Sequence, residues 1–392
     1  MRVANIRSWR TTPGGSRVEA DVDGEPLWFV SHDAVLTASA EAFASALLIP
    51  AAIRGEPLEI ESPVDRLWIE RAPAIVRQVK EWWQVPGTEV IATDVVDAPR
   101  VQPGAIAHCF TGGVDSFYAL LHAETPPAIL VYAHGFDIEL EDRIRLDAFL
   151  PGFRETAATF GARVVLIATN LRSHNASRCI NQKKRHDDWK KSHGGALAAL
   201  GHLLSDQVER LVIPSSYPYH DPHPWGSHWD LDHLWASQRL TLEHADATLR
   251  RDGKVRAIAD HVLVQRNLRV CWQTRTPSGN CSRCEKCVRT MIALAMCGRL
   301  GDCETFDRTR PLQRLVDDLP LLQPHLISVY EELLRGINDP LLSAAVKRLI
   351  GNSRGLARVM IGAVRRWRRS PWPIRYLKTL VRGVPPTRKK PC

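Results

Sequence analysis

The chain has 392 residues, of which 44% are hydrophobic and 24% charged, so it has enough apolar material for a sizeable core and an ordinary globular composition. It has no run of about 18 apolar residues and no apolar stretch near its start, so we expect no membrane-spanning helix, no secretion signal and a cytoplasmic location. The net charge of +9 arises in residues 354–392, which hold 12 Lys and Arg and no acidic residue; the other 353 residues carry −3, which argues against a body built to bind nucleic acid.

The first part of the chain is predicted to form a small α+β domain over residues 1–98. Residues 17–22 alternate between polar and apolar side chains, an Asp-Gly turn follows, and residues 26–30 continue as a second strand. This pattern is typical of a β-hairpin. Residues 38–53 form a long, mostly apolar run that indicates a buried helix.

From residue 104 onward, short apolar strands alternate with helical patterns. This alternation predicts an α/β fold with a Rossmann-like parallel sheet, in a domain over residues 99–303. The predicted strands are residues 105–110, 128–133, 163–168, 211–213 and 255–259, and the predicted helices are residues 116–123, 141–160 and 187–204. Because ligands of such sheets bind beyond the carboxyl ends of the strands, the loops to inspect begin at Thr111, His134, Thr169 and Pro214.

The remainder of the chain is predicted to be a helical extension over residues 304–353 and a basic tail over residues 354–392. The tail places Trp367 among four arginines, Arg365, Arg366, Arg368 and Arg369. Such a segment could contact nucleic acid, an acidic protein or an anionic membrane surface. A solvated tail without a partner explains the same composition.

The loop after the first predicted α/β strand has the composition of a phosphate-binding loop. It consists of Phe110, Thr111, Gly112, Gly113, Val114, Asp115 and Ser116. The glycines let backbone N–H groups approach an oxyanion, and the start of the next helix adds unpaired N–H groups. Asp115 would repel phosphate unless Mg²⁺ lies between them, so we expect it to bind that metal. The alternative is an ordinary Gly-Gly turn in which Asp115 or Ser116 caps the helix.

Two further loops at the same predicted edge are candidates for binding nucleotide and substrate. The second strand is followed by His134, Gly135, Phe136 and Asp137, which could hold adenine, ribose or metal; a strand-ending turn explains them equally well. The fourth strand is followed by a proline-rich aromatic segment that is predicted to line a substrate pocket. Its candidate residues are Ser215, Ser216, Tyr217, His220 and Asp221. The alternative for this segment is a rigid surface loop.

The helix predicted over residues 187–204 carries two lysines and two glycines near its start. Lys190 and Lys191 could approach ATP. A glycine pair, Gly194 and Gly195, used for close helix packing explains the sequence nearly as well.

Four cysteines, Cys271, Cys281, Cys284 and Cys287, lie within 17 positions. In a chain without a secretion signal, such crowding favours a metal over disulfides. Four thiolates complete a tetrahedral Zn²⁺ site and leave no open position, so the predicted role is structural. An iron–sulfur cluster is the alternative, since it also takes four cysteines.

The run from Thr111 to Ser116 resembles the SGGxDS signature of the PP-loop ATP pyrophosphatases, with threonine at the usual serine position. Together with the downstream cysteines and a nearby arginine, residues 104–297 are similar to 7-cyano-7-deazaguanine synthase of the queuosine pathway. The resemblance implies a HUP-type PP-loop core and the ligands ATP, Mg²⁺ and Zn²⁺. Residues 1–98 and 304–392 depart from that enzyme, which leaves the substrate open.

The resemblance implies that ATP is split between its α and β phosphates and that a small-molecule carboxylate is adenylated. Ammonia or an amine then attacks, with Asp115 and Ser116 as the catalytic residues; a homodimer is compatible with this function. One alternative is sulfur transfer to tRNA, which would need reactive cysteines such as Cys109 or Cys179. The other is a non-catalytic module that binds nucleotide and whose basic tail contacts nucleic acid.

Overall fold

The protein is described from a computed structural model that covers residues 1–98, 104–177, 188–221, 223–271 and 279–367, with side chains up to residue 355. It divides into two compact units, Met1–Arg310 and Pro311–Cys392. Cys179 and residues 368–392 of the predicted basic tail lie outside the described residues.

Ten strands of the first unit form one sheet. They are β1 (Arg2–Thr12), β2 (Gly15–Val22), β3 (Glu25–Ser31), β4 (Leu58–Asp65), β5 (Val90–Val96), β6 (Ala105–Cys109), β7 (Ile129–His134), β8 (Arg163–Thr169), β9 (Val208–Pro214) and β10 (Thr241–Ala245). Their order across the sheet is β10-β9-β6-β7-β8-β3-β2-β1-β4-β5.

The helices of the first unit connect and cover these strands. They are α1 (Ala40–Arg54), α2 (Arg66–Trp83), α3 (Val114–Leu121), α4 (Arg143–Thr159), α5 (Trp189–His202), α6 (Trp229–Asp232), α7 (Arg251–Ile258), α8 (Val262–Asn267) and α9 (Glu285–Met296), with a short 3-10 helix at His233–Trp235. The second unit contains α10 (Leu312–Asp317), α11 (Pro324–Arg335) and α12 (Pro340–Trp367).

The α/β prediction is confirmed, and the sheet is mostly parallel. Strands β10, β9, β6, β7 and β8 run parallel to one another. The central strand β7 is buried along its whole length, as expected for a parallel strand covered on both faces. The carboxyl ends of these five strands therefore lie at one edge of the sheet, where the candidate loops begin.

The N-terminal region predicted as a separate domain, residues 1–98, shares this sheet. Its hairpin forms as predicted, with Val22 paired to Glu25 across the turn. Strand β3 then pairs antiparallel with β8, through Phe29 with Thr169 and Val30 with Ala168. Since β1 to β5 extend the sheet and belong to the same compact unit as β6 to β10, they do not form a domain of their own.

The prediction of a fifth strand at residues 255–259 is wrong, because these residues belong to the end of α7 and the turn after it. The strand that pairs with β9 is instead β10, whose residues Thr241 to Ala245 alternate between exposed and buried positions only weakly. A short apolar run fits a strand and a buried helix turn equally well, so its period could not separate the two.

Helix α1 is buried along most of its length and packs against α5. A Cβ added at Gly195 would lie 2.2 Å from the carbonyl oxygen of Ser45 in α1, and one at Gly194 would lie 1.9 Å from the carbonyl oxygen of Gly226. The geometry therefore favours the packing explanation of this glycine pair over contact with ATP.

We expect Gly195→Ala to lower the free energy of unfolding by about 2–3 kcal/mol, because α1 and α5 would have to move apart. Gly253→Ala is the matched control, since it also lies within a helix and its Cβ would meet only ordinary contacts, the nearest at 3.5 Å. That control should gain about 0.5–1 kcal/mol from helix propensity. Urea unfolding of the three proteins tests this, and equal stabilities would contradict the close packing.

Six buried or half-buried histidines make the fold sensitive to acid. Burial is the largest cause that lowers the pKa of each of them: His108, His134, His174, His193, His202 and His228. For His108, in β6, burial and the nearby charge of Arg210 lower the pKa to about 4. Below pH 6.5 the unfolded chain binds protons that the folded chain refuses, so stability present at neutral pH is lost as the pH falls towards 4.

The contribution of His108 to this loss is about 3 kcal/mol, from the difference between about 4 and 6.5. We expect His108→Leu to lose less stability than the wild type between pH 7 and pH 4.5, measured by urea unfolding at both values. His32→Leu, at an exposed position, should retain the wild-type dependence. A His108→Leu protein with the full wild-type dependence would contradict the assignment.

The second unit is helical over the part that the structure describes, in line with the predicted extension. Helix α12 packs against α10 and α11, and Arg348 of α12 forms an ion pair of 2.8 Å with Asp317 of α10. No helix among the described residues of the whole chain is long and apolar enough to cross a membrane.

Candidate functional site

The glycine loop joins β6 to α3 at the carboxyl edge of the sheet. Gly112 has a φ of +70°, which favours glycine, and its carbonyl accepts a hydrogen bond of 2.7 Å from the backbone N–H of Arg269. Phe117 donates the first hydrogen bond of the helix, to Gly113. The N–H groups of the preceding residues in α3 therefore have no acceptor within the helix, as phosphate binding at a helix start requires.

The two hydroxyl groups of the loop stabilise its turn. Ser116 donates 3.0 Å to the carbonyl of Gly113 and accepts 3.4 Å from the backbone N–H of Thr111. Gly113 is the residue before the helix, and no side chain caps that end. The alternative in which Asp115 or Ser116 caps α3 is therefore wrong.

Asp115 contacts two cations of α7. Its Oδ2 lies 3.1 Å from Nη1 of Arg251, and its Oδ1 lies 3.6 Å from Nζ of Lys254. Oδ1 is buried and accepts no hydrogen bond from the described residues. In addition to its 3.6 Å ion pair with Lys254, this oxygen can accept a further ligand, and the two positive charges next to the carboxylate offset its repulsion of phosphate.

Lys254 is 1% exposed and is held by a second loop of the site. Its Nζ donates 2.7 Å to the carbonyl and 2.8 Å to the hydroxyl of Ser215, at the end of β9. Burial lowers the pKa of Lys254, and the charge of Asp115 opposes this effect. An ammonium group held between two loops is a fixed positive charge beside the glycine loop.

Helix α9 adds two more cations to the same region. Lys286 lies close enough to Arg251, Asp137 and Asp115 to feel their charges, and desolvation, aided by Arg251, lowers its pKa to about 8. Arg289 is joined to Glu285 of the same helix by an ion pair of 2.9 Å. We call Arg251, Lys254, Lys286 and Arg289 the cation cluster.

The loop after β7 is a tight turn, as the alternative interpretation of a strand-ending turn predicts. Gly135, with a φ of +106°, donates 2.9 Å to Ile138, and the His134 ring bonds to the carbonyl of Glu139 at 3.1 Å. Phe136 is buried against the Trp189 ring, with centroids 4.8 Å apart. Asp137 alone is exposed, and its charge acts on Lys286, so it is the member of this loop that faces the site.

The segment after β9 divides between two surroundings. Ser215 is buried and contacts the ammonium group of Lys254. Tyr217 packs between His223 and Trp225, close enough to Arg289 and Arg251 for their charges to act on its hydroxyl group. Ser216 is exposed. His220 and Asp221 are exposed as well and pair instead with Arg250, at 3.1 and 3.6 Å. The structure therefore brings Ser215 and Tyr217 to the cation cluster, and places the His220 and Asp221 side chains on Arg250.

Arg251 and Lys254 are the site residues that sequence reasoning missed. They lie three residues apart on one face of α7, whereas the sequence pattern predicts a strand for residues 255–259 directly after Lys254. Two basic residues at helical spacing beside a predicted strand end carried the only signal. Lys286 and Arg289 lie next to the cysteines in sequence, and nothing in the sequence places them beside the glycine loop.

The four cysteines converge. All four Sγ atoms lie within 4.8 Å of one another, and two of the separations, Cys271 to Cys284 and Cys281 to Cys287, are 3.9 Å. A tetrahedron with Zn–S bonds of about 2.3 Å has edges of about 3.8 Å. The spacing therefore fits one metal ion such as zinc at the centre, and it is far too long for disulfide bonds of about 2.05 Å.

Neighbouring groups set up the cysteines for a metal. Backbone N–H groups of Arg283 and Cys284 point at Sγ of Cys281, at 3.5 and 3.2 Å. The side-chain oxygen of Asn280 accepts hydrogen bonds from the backbone N–H groups of Val270 and Cys271, at 2.8 and 3.1 Å. These bonds join the segment that carries Cys271 to the segment that carries the other three cysteines. The thiol of Cys271 raises the pKa of Cys284 to about 12, so without a cation the Cys284 thiol stays protonated at neutral pH.

The cysteines also determine where α9 lies. Cys284 is the residue before that helix and Cys287 belongs to its first turn, on either side of Lys286. A metal bound by all four cysteines would therefore fix the start of α9, and with it two members of the cation cluster.

Cys109 has no features of a reactive thiol. It is 5% exposed at the end of β6, and burial raises its pKa far above the usual range. Sulfur transfer through this residue finds no support in its surroundings.

Comparisons with family models, with curated proteins and with solved structures found no match for this chain. No relative therefore assigns a role to the glycine loop, the cation cluster or the four cysteines.

Proposed function

We propose that the chain is an ATP-dependent ligase or synthase of the PP-loop ATP pyrophosphatase type, which adenylates a small-molecule carboxylate. One observation carries the proposal: a glycine loop at the start of α3 faces two cations of α7 across Asp115, at 3.1 and 3.6 Å. A phosphate chain needs such a combination of free backbone N–H groups and fixed positive charge. The resemblance of the loop to SGGxDS supports cleavage between the α and β phosphates.

The reaction proceeds in two balanced steps. A carboxylate oxygen attacks the α phosphorus of ATP, the bond from that phosphorus to the bridging oxygen of the β phosphate breaks, and pyrophosphate leaves. Ammonia or an amine then attacks the carbonyl carbon of the acyl adenylate, loses a proton and displaces AMP, which yields an amide. A synthase of the deazaguanine type would convert the amide into a nitrile in a second, ATP-dependent round.

The residues contribute chiefly by positioning and by neutralising charge. Lys254 and Arg251 offset the charge that builds up on the leaving pyrophosphate. The backbone of Gly112 and Gly113 holds phosphate oxygens close to the helix start. Tyr217 and the aromatic side chains around it provide a wall for a planar substrate next to the cations.

Mg²⁺ fits the site as a partner of ATP rather than as an ion held by protein alone. Among the described residues, the four cysteines are the only group of three or more candidate ligands close enough to share an ion. Asp115 could give one oxygen, its Oδ1, with the remaining ligands coming from phosphate and water, which is how Mg²⁺ commonly binds. The ion would then shield the phosphates from Asp115.

The test is acid-dependent exchange of labelled pyrophosphate into ATP, with the full chain, Mg²⁺ and a panel of carboxylates that includes 7-carboxy-7-deazaguanine. Adenylation is reversible and needs no amine, so exchange should appear with the right acid alone, and AMP should accumulate once ammonia is added. Release of ADP and phosphate instead, or no exchange with any acid, would count against the proposal.

A further inference from the structure

A cavity lies beside the glycine loop, away from the cation cluster, between α4 and the segment that leads to the cysteines. It has a volume of about 260 Å³, just below the usual range of ligand clefts, and therefore suits a small molecule. Phe149 and Gly152 of α4 form one wall, and Arg269, two residues before Cys271, forms another. The cation cluster and Asp115 do not line it.

Arg269 is unusual among the arginines of this cavity. It is 8% exposed, and its Nε and Nη2 atoms are buried without a hydrogen-bond acceptor among the described residues. By contrast, Arg145 pairs with Asp142 at 3.1 Å and Arg266 pairs with Glu155 at 3.3 Å. The Phe149 ring lies beneath the side chain of Arg269, with the guanidinium carbon 5.5 Å from the ring centre.

A buried guanidinium without an anionic partner is costly, because it loses its hydration and gains no counter-charge. Stacking on an aromatic ring returns only part of that loss. Nε and Nη2 share one edge of the planar group, and their N–H bonds point the same way. This edge matches two oxygens of one carboxylate or phosphate group, the pairing that arginine makes most strongly.

We propose that this cavity binds a small oxyanion, a carboxylate or a phosphate group, through the Nε and Nη2 edge of Arg269. The backbone N–H of Arg269 is already bound to Gly112 at 2.7 Å, so the ligand would lie against the back of the glycine loop and brace it. Oxyanion binding at this site requires no nucleotide, so it can be tested independently of the proposed ATP reaction.

The test measures thermal unfolding of the full chain in sodium phosphate, sodium acetate or sodium benzoate, against sodium chloride at equal ionic strength and without ATP. At least one oxyanion should raise Tm in a saturable way, by on the order of 2 °C or more well above its Kd. A response to phosphate alone identifies a phosphate ligand, and a response to acetate or benzoate identifies a carboxylate.

Two variants connect the response to Arg269. Arg269→Met removes the charge but keeps the length of the side chain, and should abolish the oxyanion shift; Arg266→Met, which lines the same cavity with an exposed guanidinium, should retain it. A shift that survives in Arg269→Met would place the anion elsewhere, for example at the glycine loop, and would overturn the proposal. So would the absence of a saturable shift in the wild type.

If Arg269→Met does not fold, Ala148→Leu decides, because Ala148 lines the cavity from its exposed side and leucine fills space without altering Arg269. Loss of the oxyanion shift in Ala148→Leu supports the site. An undiminished shift in that variant overturns it.

Discussion

Replacing Asp115 by asparagine is expected to lower the rate of acid-dependent pyrophosphate exchange by on the order of 100-fold, while the chain stays folded. The amide keeps the shape of the side chain and an oxygen for Arg251, now at 3.1 Å, but it removes the charge that holds Arg251 and Lys254 together. It also removes the only carboxylate of the glycine loop that Mg²⁺ could use. Initial rates at saturating ATP measure the effect.

Asp206→Asn is the matched control for this variant. It breaks a comparable carboxylate–arginine pair, to Arg239 at 2.9 Å, at an exposed position outside the site, and should leave the exchange rate unchanged. Asp115→Asn should also lower the pKa of Lys254 further, because the charge of Asp115 now opposes the effect of burial. An Asp115→Asn protein with wild-type exchange would show that the loop does not bind the reacting phosphates.

Exchange of Cys284 for serine is expected to abolish metal binding and to destabilise the first unit by several kcal/mol. A thiolate contributes to a four-coordinate site through a bond that serine does not replace, and metal binding to such sites is itself folding free energy. Elemental analysis should find one zinc per wild-type chain and far less than one in the variant. Thermal unfolding with and without a chelator measures the stability.

Cys297→Ser is the control for the cysteine exchange. Cys297 lies just after α9, outside the cluster, and its Sγ bonds to the carbonyl of Ala293 at 3.2 Å, a role that a hydroxyl can take over. This variant should keep its metal and its Tm. A brown protein with iron and sulfide would establish the iron–sulfur alternative, and a metal-free wild type of undiminished stability would refute a structural metal altogether.

The sequence predicted the local features of the fold well, because they follow from local patterns. The hairpin of β2 and β3 comes from an alternating pattern and an Asp-Gly turn, and the parallel strands come from short apolar runs between helices. The pairing of β3 with β8 has no such local signal. It depends on which edge of β8, a strand distant in sequence, is not already paired with β7. For that reason, the sequence predicts a separate domain for residues 1–98, whereas their strands extend the sheet.

The parts of the candidate site that could be predicted are those whose residues lie close together in the sequence. The glycine loop and the four cysteines each occupy one short segment, and both were found. Lys254 reaches the site only because α7 packs on α3, and its bond to Ser215 joins residues 39 positions apart. Arg269 is also distant in sequence from the loop that it contacts, so neither arrangement could be inferred without the fold.

The pairing of β3 with β8 has a consequence for how the chain folds during synthesis. The backbone of Trp28 bonds to the side chain of Asn170, 142 residues later, so the outer edge of the hairpin leaves the ribosome long before its partner. At typical elongation rates this delay is on the order of 10 s. Throughout that interval the edge of β3 that later pairs with β8 has unpaired backbone groups, so we expect folding of the N-terminal half to depend on the translation speed between residues 31 and 163.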